Sequence, residues 1–453
     1  MEHTMIHDTR IQPLNDRTVG DGDYVLYWMQ ASQRASCNHA LEHAIRRAND
    51  LGKPVVVCFG LDEGYPEANA RHYSFMLEGL AEVHAALRER RIQMVVRKTS
   101  PDAAAIEFGR RACLVVVDRG YFPIQKAWRR EVANELACRV VQVETDVVVP
   151  VEIASDKEEY AARTIRPKLH AHLDDYLVPL SETRPRISSL DLRFRSADVS
   201  DARKALSRLK IDRSVGPSPD FTGGASQALR LFKRFLDERL ERYHDLRNEP
   251  ALSWLSHMSP YLHFGQVSPL ELALEVDMRS GPGPEAYLEE LVVRRELSMN
   301  FVHHNLDHGG FDCLPDWTRR TLDKHRSDPR AEVYTLEQLE AAETWDPYWN
   351  AAQMEMVVTG KMHNYMRMYW GKKVIEWTED PREAYARLVY LNNRYELDGR
   401  DPNSYAGIAW CFGKHDRPWS EREIFGTVRY MNAGGLERKF DIQAYVDKIA
   451  ALT

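Results

Sequence analysis

Four of the ten tryptophans lie between residues 344 and 377: Trp345, Trp349, Trp370 and Trp377. The first two are four residues apart and the last two seven, spacings that put side chains on one face of a helix. Met354, Met356, Met362, Met366 and Met368 are threaded among them, with Lys361, His363, Asn364 and Arg367 at polar positions. Such a segment can wall a flat conjugated cofactor, with neighbouring indoles able to pass an electron. It can equally be a buried helix pair, since aromatics supply core area. Spacing alone leaves both readings open.

Other reactive constellations are incomplete. His303, His304 and His308 lie close together, but no carboxylate or second cluster has ligand spacing, so no metal site is expected. The six cysteines (Cys37, Cys58, Cys113, Cys138, Cys313, Cys411) are scattered without a C-x-x-C pair. Neither a disulfide framework nor structural zinc is indicated, and a reducing compartment fits. A formal charge of −7 argues against indiscriminate nucleic-acid binding while allowing a local basic groove. No apolar run approaches the roughly 20 residues of a membrane span, and the polar start lacks a signal peptide's apolar core.

The elements that must position these residues follow from the chain in order. With 453 residues, 43% hydrophobic and 28% charged, two or three globular domains are expected. Residues 1–22 read as a short mobile tail. From 23 to 149, apolar runs at 24–29, 54–59, 92–96, 114–117 and 140–143 read as buried strands, with amphipathic helices at 39–51 and 71–90 between them. This alternation predicts an α/β, Rossmann-like domain with a doubly wound parallel sheet. No G-x-G-x-x-G follows the first strand, where Gln30-Ala31-Ser32-Gln33-Arg34 stands instead, so a dehydrogenase-type dinucleotide site is unsupported. The sheet could bind an accessory ligand at its switch point or serve as scaffold. Residues 150–224, with Pro167, Pro179, Pro185, Pro217 and Pro219, read as an interdomain linker with some helix around 157–177. From 225 to 453 strands nearly vanish. Ala228, Leu231, Phe232, Phe235, Leu236 and Leu240 mark one helical face. Ser268-Pro269-Leu270-Glu271, Thr335-Leu336-Glu337-Gln338 and Asp380-Pro381 have the form of helix starts. An all-α C-terminal domain is expected.

Tyr243-x-x-x-Arg247-Asn248-x-Pro250, followed by Leu255-Ser256-His257-Met258-Ser259-Pro260-Tyr261-Leu262-His263-Phe264-Gly265, resembles the flavin-binding entry of the photolyase/cryptochrome superfamily. Glu289-Glu290-Leu291-Val292-Val293-Arg294-Arg295-Glu296-Leu297 is similar to the helix that meets the DNA lesion. The run from Tyr348 to Trp377, with Tyr390-Leu391-Asn392-Asn393-Arg394-Tyr395-Glu396-Leu397-Asp398-Gly399-Arg400-Asp401-Pro402 and Val428-Arg429-Tyr430-Met431-Asn432, resembles the class II cyclobutane pyrimidine dimer photolyases. The resemblance spans almost the whole chain, strongly from Tyr243 onward. In the sheet domain it is looser, Tyr27-Trp28-Met29-Gln30 matching best.

That resemblance implies FAD, working as FADH−, bent inside an all-α FAD-binding domain. Tyr243 and Leu255, Ser256, His257, Met258 and Ser259 would hold its ribityl–diphosphate part, with Arg367, Asn392 and Asp398 beside the ring. The implied activity is that of a carbon–carbon lyase: light-driven repair of pyrimidine dimers in UV-damaged DNA, by electron transfer to a flipped-out lesion. Glu290 would stabilise the lesion's radical anion through a carboxyl whose pKa burial raises; Glu289 would be a solvated acid. Met368 and Trp410 would form floor and wall of the lesion pocket, and Arg294 stands where some relatives carry an aromatic. Arg429 would fill the gap in the duplex. Arg319, Arg320, Lys324, Arg326, Lys414, Arg417, Arg438 and Lys439 are candidates for a phosphate groove. An electron relay would run from the flavin through Trp370 and Trp349 to Trp377 at the surface, with Tyr334 as a side branch and Trp345 as packing. An antenna pigment, a deazaflavin or a folate, could occupy the sheet domain. A monomer off the membrane is implied, cytoplasmic and nucleoid-associated in a prokaryote or nuclear in a eukaryote. The alternative is a cryptochrome-like blue-light photoreceptor, which a long C-terminal tail would favour; the helical pattern at 442–452 leaves no room for one before Thr453.

Overall fold

A computed structural model describes residues 6–452; the first positions of the expected tail lie outside the described residues. Six strands form one sheet: β1 (Ile11–Pro13), β2 (Tyr24–Trp28), β3 (Val55–Gly60), β4 (Gln93–Arg97), β5 (Ala112–Asp118) and β6 (Arg139–Val143). Their order is β1-β6-β5-β2-β3-β4, and β2 to β6 run parallel. Strands β2, β3 and β5 are buried along their whole length, as a sheet covered on both faces requires. The order of strand addition reverses at β2, with β3 and β4 on one side and β5 and β6 on the other, which creates a switch point at the carboxyl ends of β2 and β5. The helix His39–Leu51 starts where the Asn38 side chain accepts from the Leu41 amide and stops at Gly52 in the left-handed region.

The expected tail is corrected by β1, which pairs antiparallel with β6, Ile11 opposite Val143. Burial of Arg10 explains the docking: its guanidinium donates to the carbonyls of Glu144 and Val147, each at 3.2 Å. The 150–224 stretch carries the helices Val151–Ala154, Ala162–His170, Leu173–Tyr176 and Ala202–Ser207. Its second half lies along the free edge of β4, where the Ala197 amide donates to the Val96 carbonyl at 2.9 Å. Val199, Ala205 and Leu209 complete the sheet's core, so this segment packs on the first domain as well as linking two.

Beyond residue 224 the described residues contain no strand, and helices enclose a core built around Trp349, Trp370 and Trp377. Thr335 and Gln338 form a reciprocal capping box, and the Asp380 carboxylate accepts from the Arg382 amide at 2.8 Å, both as the sequence predicts. Ser268 precedes the helix Pro269–Asp277, but its hydroxyl makes no capping bond; Pro269 opens that helix by its restricted φ.

Candidate functional site

Three successive helices and the segments at 360–363 and 396–401 assemble a buried charge cluster. Asp346 caps the helix Pro347–Thr359, accepting from the amides of Tyr348 and Trp349 at 3.0 and 3.1 Å. Gly360, at φ 84°, ends that helix and lets the chain return as the helix Asn364–Trp377. The helix Pro381–Tyr395 follows, and residues 396–401 fold back against it. Gly399 permits this: a Cβ there would lie 2.9 Å from the Asn392 carbonyl oxygen.

This fold-back sets Asp398 beside Arg367, though not as the simple pair expected. Arg367 Nη2 lies 3.0 Å from Glu396 Oε1 and 3.9 Å from Asp398 Oδ1. Asp398 Oδ2 is instead met by Lys361 Nζ at 2.9 Å, and the same ammonium donates to Ser259 Oγ at 2.8 Å. Asn392 is buried inside a helix, and its Oδ1 faces Arg367 Nη1 at 3.5 Å. Burial pushes the Asp398 carboxyl up, but Lys361 and Arg367 outweigh it and hold the group well below its ordinary range. Burial dominates at Glu396, whose carboxyl is pushed up to about 7 against the pull of Arg367 and Lys361. The four groups therefore carry zero net charge with Glu396 ionised and one positive charge with it protonated. Sequence reasoning assigned no role to Glu396 or Lys361; both stood in view, Glu396 two residues before Asp398 and Lys361 six before Arg367.

A second wall faces this cluster through Ser259. Residues 255–259 turn with His257 at φ 58°, and Met258 and Tyr243 are buried. Arg239 donates to the Leu255 carbonyl at 3.3 Å, and Tyr287 packs edge-on against Tyr243 at 5.5 Å while its hydroxyl donates to Ser256 at 3.4 Å. Buried Arg367 Nε has no partner among the described residues. Asp398 Oδ1 and Glu396 Oε2 are likewise without one in the hydrogen-bond pattern, and a proton on Glu396 would satisfy both. Unspent cationic donors, a hydroxyl and a turn rich in polar atoms fit an anionic, phosphate-bearing ligand.

The residues that the resemblance assigns to the lesion lie on neighbouring elements. Glu289–Arg294 winds as a π-helical turn between the helices Pro282–Leu288 and Arg295–His304, a local rewinding common at functional sites. Glu290 lies on it, but the expected burial is absent: its side chain is 32% exposed and ion-paired with Arg247, whose guanidinium sits 5.8 Å over the Tyr243 ring. Glu289 is held rather than solvated, accepting from Arg166 at 2.7 Å and from Arg294 at 3.1 Å. Burial raises its carboxyl less than these two cations lower it. Met368 is buried and Trp410 half-buried, and both belong to one apolar cluster. Exposed Arg429 sits 5.0 Å over the Trp419 ring.

The expected phosphate groove divides. Arg319 pairs with Asp316 and Asp312, Lys324 with Glu421 and Arg326 with Asp380, and Lys414 is buried against Glu158. Arg320, Arg417, Arg429, Arg438 and Lys439 remain exposed, with no carboxylate in salt-bridge range among the described residues.

The indoles are arranged as a connected set. Trp370 Nε1 donates to Gln353 Oε1 at 2.8 Å, and Trp349 Nε1 donates to the Trp370 carbonyl at 3.0 Å. Trp349 and Trp377 meet edge to face with centroids 5.5 Å apart, and Tyr334 meets Trp377 at 5.1 Å. Two expectations reverse here. Trp377 is only 2% exposed, being enclosed by the helical core, whereas Trp345 is 57% exposed and is not packing.

A separate cavity of about 1100 Å³, including its open mouth, lies at the switch point of the sheet. Gln30 and Gln33 after β2, Arg119 after β5, and Tyr65 and Trp128 line it, and Arg400 closes it from the helical half. Gln30 Nε2 and Gln33 Oε1 are buried there without partners. Among the described residues no group of three or more His, Cys, Asp or Glu side chains is placed to hold a metal ion.

Residues 25–186 match the family described as DNA photolyase. Over 449 residues, 99% of this chain and 99% of the relative, the sequence is 54% identical to a deoxyribodipyrimidine photo-lyase of Methanothermobacter thermautotrophicus. It is 40% identical to the protein of the same name from Potorous tridactylus over 433 residues, 94% of this chain and 81% of that one. An archaeal photolyase from Sulfolobus tokodaii, solved with two FAD molecules, shares the fold with a TM-score of 0.71 at 19% identity, over 94% of this chain and 89% of that one.

Proposed function

This chain belongs to the DNA photolyase family, and from that premise we propose that it is a class II enzyme repairing cyclobutane pyrimidine dimers in UV-damaged DNA with light. One helix carries the reading: Asn364–Trp377 holds Arg367 of the charge cluster, Met368 of the apolar cluster shared with Trp410, and Trp370 of the indole set within four residues. When bound, reduced FAD supplies the photoexcited electron that opens the cyclobutane ring and takes it back.

The protein's own work is binding, orientation and charge balance. Ser259, with Lys361 behind it, and the turn at 255–259 suit the cofactor's phosphates. Arg367, Asp398 and Glu396 set the charge beside its ring, and Asn392 offers an amide without an acidic proton. Met368 and Trp410 give a flipped dimer an apolar seat, where a distorted lesion costs less to extrude than an intact pair, whose unstacking costs about a few kcal/mol. Glu290 can hydrogen-bond base edges once it leaves Arg247, an exchange that its partial exposure makes inexpensive. Arg429 with Trp419 and the unpaired cations Arg320, Arg417, Arg438 and Lys439 supply contacts to the duplex. Trp370, Trp349 and Trp377 relay electrons inward to restore the reduced cofactor. The cavity at the switch point, with its aromatic walls and unpaired amides, suits a flat antenna pigment of the deazaflavin or folate class. No helix among the described residues is long and apolar enough to cross a membrane, and we place the enzyme, as a monomer, in the compartment that holds the genome.

The test is a blue-light assay on a defined thymine dimer with a dark control. Restoration of intact thymines only in the light is the expected outcome; equal restoration in the dark, or none, overturns the reading.

A further inference from the structure

We propose that Trp345 is the outer end of the indole relay, where an oxidising equivalent leaves the protein and meets a small thiol or ascorbate in solution. The inference rests on the reading of Trp370, Trp349 and Trp377 as a relay. Trp377, enclosed by the core, offers solvent no face of its own. Besides Trp349, two groups meet its ring: the Tyr334 ring, and the Lys373 ammonium at 5.4 Å from the Trp377 centroid. The same ammonium is 5.5 Å from the centroid of exposed Trp345. Both indoles therefore share one cation, held in place by Glu376 at 2.9 Å, and lie closer to each other than the sum of those two distances.

Electrostatics give the relay a direction. A positive charge on either indole meets the same ammonium at nearly the same distance. At Trp377 it does so in a low-dielectric interior, whereas at Trp345 water screens the repulsion and solvates the new charge. An oxidising equivalent on Trp377 thus moves outward. Tyr334 is the competing exit, and its surroundings oppose it. A phenol must shed its proton when oxidised, yet Tyr334 is 9% exposed and its hydroxyl only accepts, from the Trp345 amide at 3.1 Å. No acceptor for that proton lies within hydrogen-bond distance among the described residues. The same contact holds Trp345 against the end of the buried set.

The step balances. Trp345 gives one electron to oxidised Trp377, which returns to the neutral indole. The Trp345 indole N–H then passes its proton to water, leaving a neutral radical. One electron from the thiol or ascorbate and one proton from water restore Trp345.

Flash excitation of the flavin-loaded protein, followed by the absorption of tryptophanyl radicals with and without dithiothreitol, tests this in wild type and in Trp345→Phe, Tyr334→Phe and Trp377→Phe. Trp345 is outside the core, so its replacement leaves folding intact. Trp345→Phe should shorten the radical lifetime by on the order of tenfold and remove its dependence on dithiothreitol. A lifetime and thiol dependence unchanged in Trp345→Phe but lost in Trp377→Phe overturn the inference and leave the relay standing. Loss confined to Tyr334→Phe overturns it in favour of the tyrosine, and no change in Trp377→Phe overturns the relay itself. A readout without cofactor uses photogenerated ruthenium(III) tris-bipyridine, too bulky to enter the core, on flavin-free protein carrying Trp419→Phe. Radical formation should be several-fold slower when Trp345→Phe is added, and equal rates overturn the proposal.

Discussion

The molecule holds two sites whose chemistry is opposite, a buried charge cluster and an open cavity. In the helical half, Lys361, Arg367, Glu396 and Asp398 crowd their charges within salt-bridge reach of one another, buried from water. At the switch point of the sheet, aromatic and amide side chains surround open space, and residues of the helical half complete the lining. The difference fits the two roles proposed for these sites. A group whose charge changes during turnover needs fixed counter-charges in a low-dielectric setting, where they act strongly. A pigment that only absorbs light needs orientation and exclusion of water, which flat apolar walls provide.

The comparison is broken most sharply at Arg367. Arg367→Ala would strand Glu396 and Asp398 with only Lys361 between them, and removing one partner of a buried pair costs about 3–5 kcal/mol. We expect loss of bound flavin by absorbance and a lower midpoint in denaturant unfolding, with Arg367→Lys recovering part of the stability. Next in size is Trp370→Phe. Photoreduction of the oxidised cofactor should fall by about tenfold or more, whereas dimer splitting by chemically reduced protein should persist; loss of both would make Trp370 a packing residue.

A smaller effect is set by pH. The Glu396 carboxyl, raised by burial to about 7, binds a proton in the folded protein that the unfolded chain releases near the ordinary 4.5. Its contribution to the stability of cofactor-free protein is therefore fully present below pH 4.5 and is lost as pH rises through 7. The protonated cluster also carries one more positive charge, so an anionic flavin should bind more tightly as pH falls through 7. Glu396→Gln should flatten this dependence in flavin titrations, and an unchanged pH profile would remove Glu396 from the site. The smallest effect belongs to the other region. Gln33→Leu removes one buried amide from the cavity, and we expect antenna uptake to weaken by about 1 kcal/mol with flavin content untouched. A fall in flavin content as well would show that the two sites are not independent.

Legibility in the sequence followed the range of the interactions involved. The strands at 24–28 and 139–143, the helix His39–Leu51 and the starts at Thr335 and Asp380 depend on residues within a few positions of one another, and each was readable. So was the grouping of Arg367, Met368 and Trp370, which one helix holds together. Glu396 was overlooked as the partner of Arg367 because a salt bridge across a fold-back leaves no periodic signal. The exposure of Glu290 depends on Arg247, 43 residues earlier, and the docking of β1 on a free edge of β6 and on carbonyls beyond residue 143.

By itself, the amino-acid order determined the two-part architecture, the helix on which the proposed chemistry rests and the family to which the chain belongs. Only the tertiary structure decided which indole faces water, which carboxylate answers Arg367 and where an open cavity remains. The physical reason is that backbone preference and side-chain periodicity are local properties, whereas burial, dielectric and charge pairing are set by whatever distant segment packs alongside.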